Sequence, residues 1–200
     1  SRNFGTLSQM KRDMMAEVAA TLAFSTIANN DKVGVVFFSN KIEKYIPAQK
    51  GKTHVLHIIR ELLSFEPTSK GTDMAQALQY FANAQKRHCT AFLISDFIGT
   101  GAVDKPLLIA SNRHEVNAIQ IYDRREAELP NIGLVKFHDA ESNSNLWIDT
   151  SLATIRNNYA QAWKQNQDSL EQLFTRTGVK HVSVRTDEDY VKALMHLFRC

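Results

Sequence analysis

The sequence predicts an α/β domain on a largely parallel sheet flanked by helices. Short apolar runs without alternation, Val33–Phe38 and Thr90–Ser95, have the continuous character of strands buried on both faces. Segments with apolar residues at three- and four-residue steps alternate with these runs, as in strand–helix–strand units. The chain of 200 residues, 44% hydrophobic and 22% charged, fits one ordinary globular domain with a large core.

Leu7, Met10, Met14, Val18 and Leu22 mark one face of a first helix, and Asn29-Asn30 is a stop, since Asn tolerates the left-handed conformation. After the 33–38 strand, residues 41–47 read as a more polar strand with Pro47 at its end or edge. Thr53 is the expected cap of a second helix whose inner face is Leu56, Ile59, Leu62 and Leu63. A third helix starts near Thr72 or Asp73 and buries Met74, Ala77, Leu78 and Phe81. The 90–95 strand stops abruptly on Asp96; a short helix over 105–112 leads to a strand over 116–121.

Residues 133–137 and 146–149 flank a polar stretch, 139–145, and predict an inserted β-hairpin. Ile155, Tyr159, Trp163, Leu170, Leu173 and Phe174 line a long helix that ends at Gly178. A strand over 181–184 and a last helix follow, with Thr186 as expected cap and Asp189 at the capping-box position. No repeat or composition break divides the chain, so one domain over 1–200 is expected.

Composition excludes several classes. Lys plus Arg 24 against Asp plus Glu 21 gives +3, too mild a charge to predict nucleic-acid binding. No run approaches the ~20 apolar residues of a membrane-spanning helix. Two cysteines, Cys89 and Cys200, exclude a disulfide scaffold and are compatible with a reducing compartment. The chain opens on Ser1-Arg2-Asn3 with no Met and no targeting segment, and it reads as a piece of a longer protein. This piece is expected to be cytoplasmic, without membrane contact of its own.

Ligands of open α/β sheets lie outside the carboxyl ends of the strands. Asp96 follows a strand directly, Thr72 opens a helix, and Ser1 belongs to the same edge if a strand precedes it. Two hydroxyls and a carboxylate are oxygen donors, the chemistry of Mg²⁺ or Ca²⁺ rather than zinc. Alone, an Asp at a strand end is more often a cap or turn residue than a ligand. Hydrolase and nucleotide motifs are missing: there is no Gly-x-Ser-x-Gly, and Gly99-Thr100-Gly101 lacks a third glycine. His54 and His57, one turn apart, have no third metal ligand in view and read as a solvent-facing or capping pair. Trp147 and Trp163 read as packing residues, and Cys89 as a small apolar one.

Ser1-x-x-Phe4-Gly5-Thr6, Asn30-Asp31-Lys32-Val33-Gly34, Gly71-Thr72-Asp73, Leu93-Ile94-Ser95-Asp96-Phe97, Trp147-Ile148-Asp149-Thr150 and Thr186-Asp187-Glu188-Asp189-Tyr190 occur in order. Together they resemble the bacterial domain of unknown function fifty-eight family, whose carboxyl-terminal part is a von Willebrand factor A-like domain. The resemblance implies a Rossmann-like sheet and a metal-ion-dependent adhesion site, Asp-x-Ser-x-Ser followed by Thr and Asp. Ser1 matches the last Ser of that motif, Thr72 the Thr and Asp96 the final Asp. The first Asp and Ser, and the central first strand carrying them, would lie before Ser1. Mg²⁺ or Ca²⁺ is therefore expected in the intact parent, with weak or no binding in this piece.

The resemblance further implies a non-catalytic protein–protein interaction module acting beside a MoxR-type AAA+ ATPase, with metal bridging to an acidic partner side chain. The alternatives are a metal-assisted hydrolase, with Asp73 as the neighbouring base, or a metal-free scaffold. The strands at 33–38 and 90–95 would flank the missing strand, so their open edges are expected either to self-associate or to pair with each other.

Overall fold

Helix α1 (Arg2–Asn29) leads into a β-hairpin, β1 (Val33–Phe38) and β2 (Ile42–Gln49), in a computed structural model that describes residues 2–69, 71–99, 101–138 and 145–199. The predicted stop after α1 holds: Asn30 adopts a positive φ of 53°. Val18 and Ala23 are buried on its inner face, whereas Met10 is 57% exposed because the apolar cluster under the helix begins at Met14.

β1 differs from its expected parallel setting. It pairs antiparallel with β2, and only Phe37 among its residues is fully buried. Gly34 has a steric reason there: a Cβ would lie 2.7 Å from the Ile46 carbonyl oxygen and 2.8 Å from the Ala48 nitrogen. The pairing register shifts at that point, between Val33 and Val35.

Helix α2 (Lys52–Ser64) starts from Gly51 at φ 105°, not from a Thr53 cap. Its buried residues are Val55 and Ile58, with Ile59 and Leu62 beside them, while Leu56 and Leu63 are exposed. At 3.6 residues per turn the apolar residues of this helix span an arc of roughly 160°, wider than the face that packs, so periodicity alone left the inner arc open to choice. Helix α3 (Met74–Ala84) starts as predicted, with the Asp73 carboxylate accepting the Gln76 N–H at 2.9 Å.

Strand β3 (Thr90–Ser95), helix α4 (Asp104–Arg113), strand β4 (Glu115–Tyr122) and strand β7 (Lys180–Arg185) give the parallel sheet its order β3-β4-β7. β4, which among the described residues has a strand on each side, is buried from Val116 to Ile121. β3 has one neighbour and is half-buried, which corrects its expected burial on both faces. Between β4 and β7 come a one-turn helix α5 (Arg124–Ala127), the antiparallel hairpin of β5 (Leu134–His138) and β6 (Asn145–Asp149), and helix α6 (Ala153–Thr177). The hairpin is the predicted one; its polar connection, 139–144, lies outside the described residues. Trp147, read as a packing residue, is 60% exposed on its two-stranded sheet.

Gly178 ends α6 in the left-handed conformation that glycine adopts without a Cβ clash. Helix α7 (Tyr190–Arg199) begins later than predicted: Asp189 accepts the Val191 N–H, and Thr186 is not the cap. Thr186 donates instead to Asp123.

Helices cover both faces of the strands. Val18, Ile119, Ile121, Val184, Leu194 and Leu197 pack the α1–α7 side. Met74, Leu78, Leu93, Phe97, Leu107 and Phe174 belong to the α3–α4–α6 side. Among the described residues, β1 and β3 are not paired with each other, so the expected closing of that gap does not occur. Within those residues each keeps one edge without a strand partner.

Gly34→Ala should lower the unfolding free energy by about 1–3 kcal/mol, because the added methyl meets backbone rather than a movable side chain. Urea denaturation followed by circular dichroism measures it; unchanged stability would mean that β1 and β2 do not approach this closely.

Candidate functional site

Parallel strands place their carboxyl ends on one rim, and here Asp96 follows β3, Asp123 follows β4 and Thr186 follows β7. The turn after β3 is held tightly. Phe97 has a positive φ of 55°, an uncommon and strained conformation for a bulky residue. Its ring is buried and packs edge-on against Phe174 at 5.3 Å. The Ser95 hydroxyl accepts the Phe97 N–H at 3.1 Å, and Asp96 Oδ1 accepts the Ile98 N–H at 3.3 Å. Gln120 of β4 donates to the Asp96 carbonyl and accepts from Ser183 of β7. All three strands therefore help to place Asp96.

The other Asp96 oxygen, Oδ2, accepts from Lys11 Nζ of α1 at 2.9 Å. The same ammonium donates to Glu126 Oε1 at 2.5 Å. Lys11 is 14% exposed at its side chain, Asp96 32% and Glu126 23%, so the three charges are largely withdrawn from water. Burial lowers the Lys11 pKa, but the Asp96 and Glu126 carboxylates outweigh it and hold the group above its ordinary value. Lys11 stays an ammonium at neutral pH.

Glu126 joins this ion pair to β4. Its Oε2 accepts the Asp123 N–H, while Asp123 Oδ1 accepts the Arg125 N–H at 2.8 Å, a reciprocal capping box on α5. Asp123 Oδ2 accepts the Thr186 hydroxyl at 3.0 Å, and the Tyr159 hydroxyl donates to the Arg125 carbonyl. One polar chain thus runs from α1 through β3, α5 and β4 to the end of β7.

The three expected metal ligands are placed unevenly. Ser1 lies outside the described residues. Thr72 is exposed at the entry to α3, where the next residue, Asp73, donates its N–H to the Ser39 carbonyl just beyond β1. Asp96 sits on the other sheet, and among the described residues no hydrogen bond joins it to Thr72. A divalent ion of the Mg²⁺ or Ca²⁺ type needs several free oxygen donors carrying negative charge. Here one Asp96 oxygen faces an ammonium and the other accepts a backbone N–H. No group of three or more His, Cys, Asp or Glu among the described residues has metal-binding geometry. As arranged, the described donors Thr72 and Asp96 do not by themselves fit a divalent ion.

The remaining candidates have separate partners. The Asp73 carboxylate caps α3. His54 Nε2 lies 2.9 Å from the Val33 carbonyl, whereas His57 faces Glu61, so the two do not share a site. Burial raises the pKa of the Cys89 thiol, which lies 3.6 Å from His114 Nδ1. His114 is itself buried against Phe81, and its Nε2 has no hydrogen-bond partner. Burial, with His88 and Arg113 adding positive charge nearby, pulls its pKa below the usual 6.5.

Sequence reading found Asp96 but missed Lys11, Glu126 and Asp123. The Asp123-x-x-Glu126 spacing directly after a buried strand carried a legible capping-box signal. Nothing local to Lys11 marked it.

Residues 1–169 match the sequence model of the family described as "Protein of unknown function DUF58". The chain belongs to the DUF58 family. Among DUF58 relatives, uncharacterized protein Rv1480 of Mycobacterium tuberculosis is 30% identical over 195 residues, covering 96% of this chain and 61% of the relative. Uncharacterized protein Mb1516 of Mycobacterium bovis matches to the same extent, so this DUF58 chain spans 61% of the length of both. Among solved structures, it is similar to the conserved hypothetical protein BatB from Bacteroides thetaiotaomicron, with TM-score 0.51, 14% identity, and coverage of 92% of this chain and 89% of that one. An aerotolerance-related membrane protein from Bacteroides fragilis gives TM-score 0.54 at the same identity and coverage. At this identity the likeness is one of fold. No described helix of the DUF58 chain is long and apolar enough to cross a membrane.

Asp123→Ala should cost about 1–2 kcal/mol by removing the α5 cap and the Thr186 partner, read as a lower urea midpoint; an unchanged midpoint would show that the rim network adds nothing to stability. His114 titrates with a depressed folded pKa, so its contribution is complete above pH 6.5 and is lost as pH falls through the folded value. Denaturation between pH 5 and 7.5 should therefore show a stability slope that flattens in His114→Asn.

Proposed function

We propose that this DUF58 chain is a non-catalytic protein–protein interaction module that docks through the carboxyl-end rim around Asp96. The observation that carries this reading is the state of the rim's carboxylates. Asp96 and Glu126 hold Lys11, Asp123 caps α5, and Asp73 caps α3. A general base needs a carboxylate within reach of a substrate proton and free to accept it. Each of these is instead fixed in a structural bond, an arrangement that favours a shaped, charge-patterned surface over turnover. Ile98, half exposed beside Asp96, adds an apolar contact point to the same surface.

The strand order supports the von Willebrand factor A-like form of the fold. Among the described residues β1-β2 and β3-β4-β7 form separate sheets, and an additional strand between β1 and β3 would join them into the order that such domains have. A MoxR-type AAA+ ATPase is the partner that the family resemblance indicates. In that family's form of the reading, Ser1, Thr72 and Asp96 hold a divalent ion; the ion pair on Asp96 favours docking without it.

The test is capture of a MoxR-type ATPase by the complete parent protein and by its Asp96→Ala variant. We expect at least about a tenfold loss of affinity, the scale of removing one buried charge partner at an interface. Equal capture by both proteins would overturn the docking assignment, and phosphoester or peptide turnover abolished by Asp73→Asn would establish the hydrolase instead.

A further inference from the structure

We propose that Lys11 is the resident cation of this rim, standing in the charge position that a divalent ion would take. The inference concerns the site assigned above and rests on that assignment for its functional meaning, but its physical basis is separate. Lys11 Nζ is 2.9 Å from Asp96 Oδ2 and 2.5 Å from Glu126 Oε1, with the ammonium largely shielded from solvent. Two carboxylates from different elements converge on one positive charge, the arrangement by which a metal ion would draw together the same oxygens.

The geometry explains why a lysine serves. A point charge with three donors needs no fixed coordination polyhedron, and its four-carbon stem lets it reach the rim from α1. The carboxylates come preorganised: Asp96 by the Ser95–Phe97 turn and Gln120, Glu126 by the reciprocal cap with Asp123. A second cation placed beside Asp96 would have to displace the ammonium or lie against it, and like charges a few ångströms apart repel strongly in a poorly solvated site. Divalent ions and Lys11 are thus competitors for one position.

Removal of the ammonium should convert the rim into a divalent-cation site. The experiment compares the complete protein with its Lys11→Met, Lys11→Arg, Asp96→Asn and Lys11→Met/Asp96→Asn variants, measuring thermal unfolding in EDTA and in millimolar Mg²⁺, Ca²⁺ or Mn²⁺. Direct Mn²⁺ binding is read by electron paramagnetic resonance. Wild type and Lys11→Arg should melt identically with and without divalent ions. Lys11→Met should melt roughly 5 °C lower in EDTA, from the two unpaired carboxylates. It should recover with divalent ions by mass action and lose that recovery when Asp96→Asn is added. Mn²⁺ binding by the wild-type protein that disappears with Asp96→Asn would overturn the proposal, whether or not Lys11→Met folds. So would a folded Lys11→Met variant indifferent to all three ions. Neither result depends on the ATPase capture, so failure of the lysine assignment is distinguishable from failure of the docking one.

Discussion

A single ammonium on α1 is shared by two carboxylates that β3 and the one-turn helix α5 bring to one rim. Withdrawing Asp96 and Glu126 from water is costly unless a positive charge meets them, and Lys11 supplies it to both at hydrogen-bonding distance. Charge-assisted bonds of this kind contribute about 1.5–3 kcal/mol each. They also have a directional consequence: α1 is tied at Lys11 to the rim and at Val18 to the core beneath β4, which orients the helix along the sheet.

The rest of the rim depends on that anchor through backbone geometry. Asp96 can face α1 because Phe97 takes a left-handed turn whose strain is offset by burial of its ring against Phe174. Glu126 can face α1 because the Asp123 box turns the chain into α5 directly after the central strand. Apolar packing below and ion pairing above therefore act on the same few residues. This coupling fixes the relative positions of the rim's polar groups.

The two strand blocks are held by helices rather than by a shared ladder. α1 packs against both β3 and β4 and against α2, while α2 covers β1; α3 lies against β1 and β2 on the opposite face. Phe38 of β1 packs on the same apolar cluster as Leu93 of β3 although the strands do not pair. Side-chain burial thus aligns the blocks, and among the described residues β1 and β3 each keep one edge without a strand partner.

Local signals in the chain were sufficient for much of this molecule. Asn30 and Gly178 end helices for backbone reasons confined to a residue or two, Asp73 caps α3 through a bond three residues long, and the inserted hairpin follows from two short strands around a polar stretch. Asp96 was visible for the same reason, as a carboxylate at the end of an apolar strand. Tertiary structure decided the neighbours. It paired β1 antiparallel, chose Val55 and Ile58 over Leu56 and Leu63 for the α2 core, and moved Thr186 from a helix cap to Asp123. It also brought Lys11 across 85 residues to Asp96 and 115 to Glu126. Propensity and periodicity act over a helical turn or a strand, whereas the charge that completes a half-buried carboxylate is chosen by whichever element packs above it.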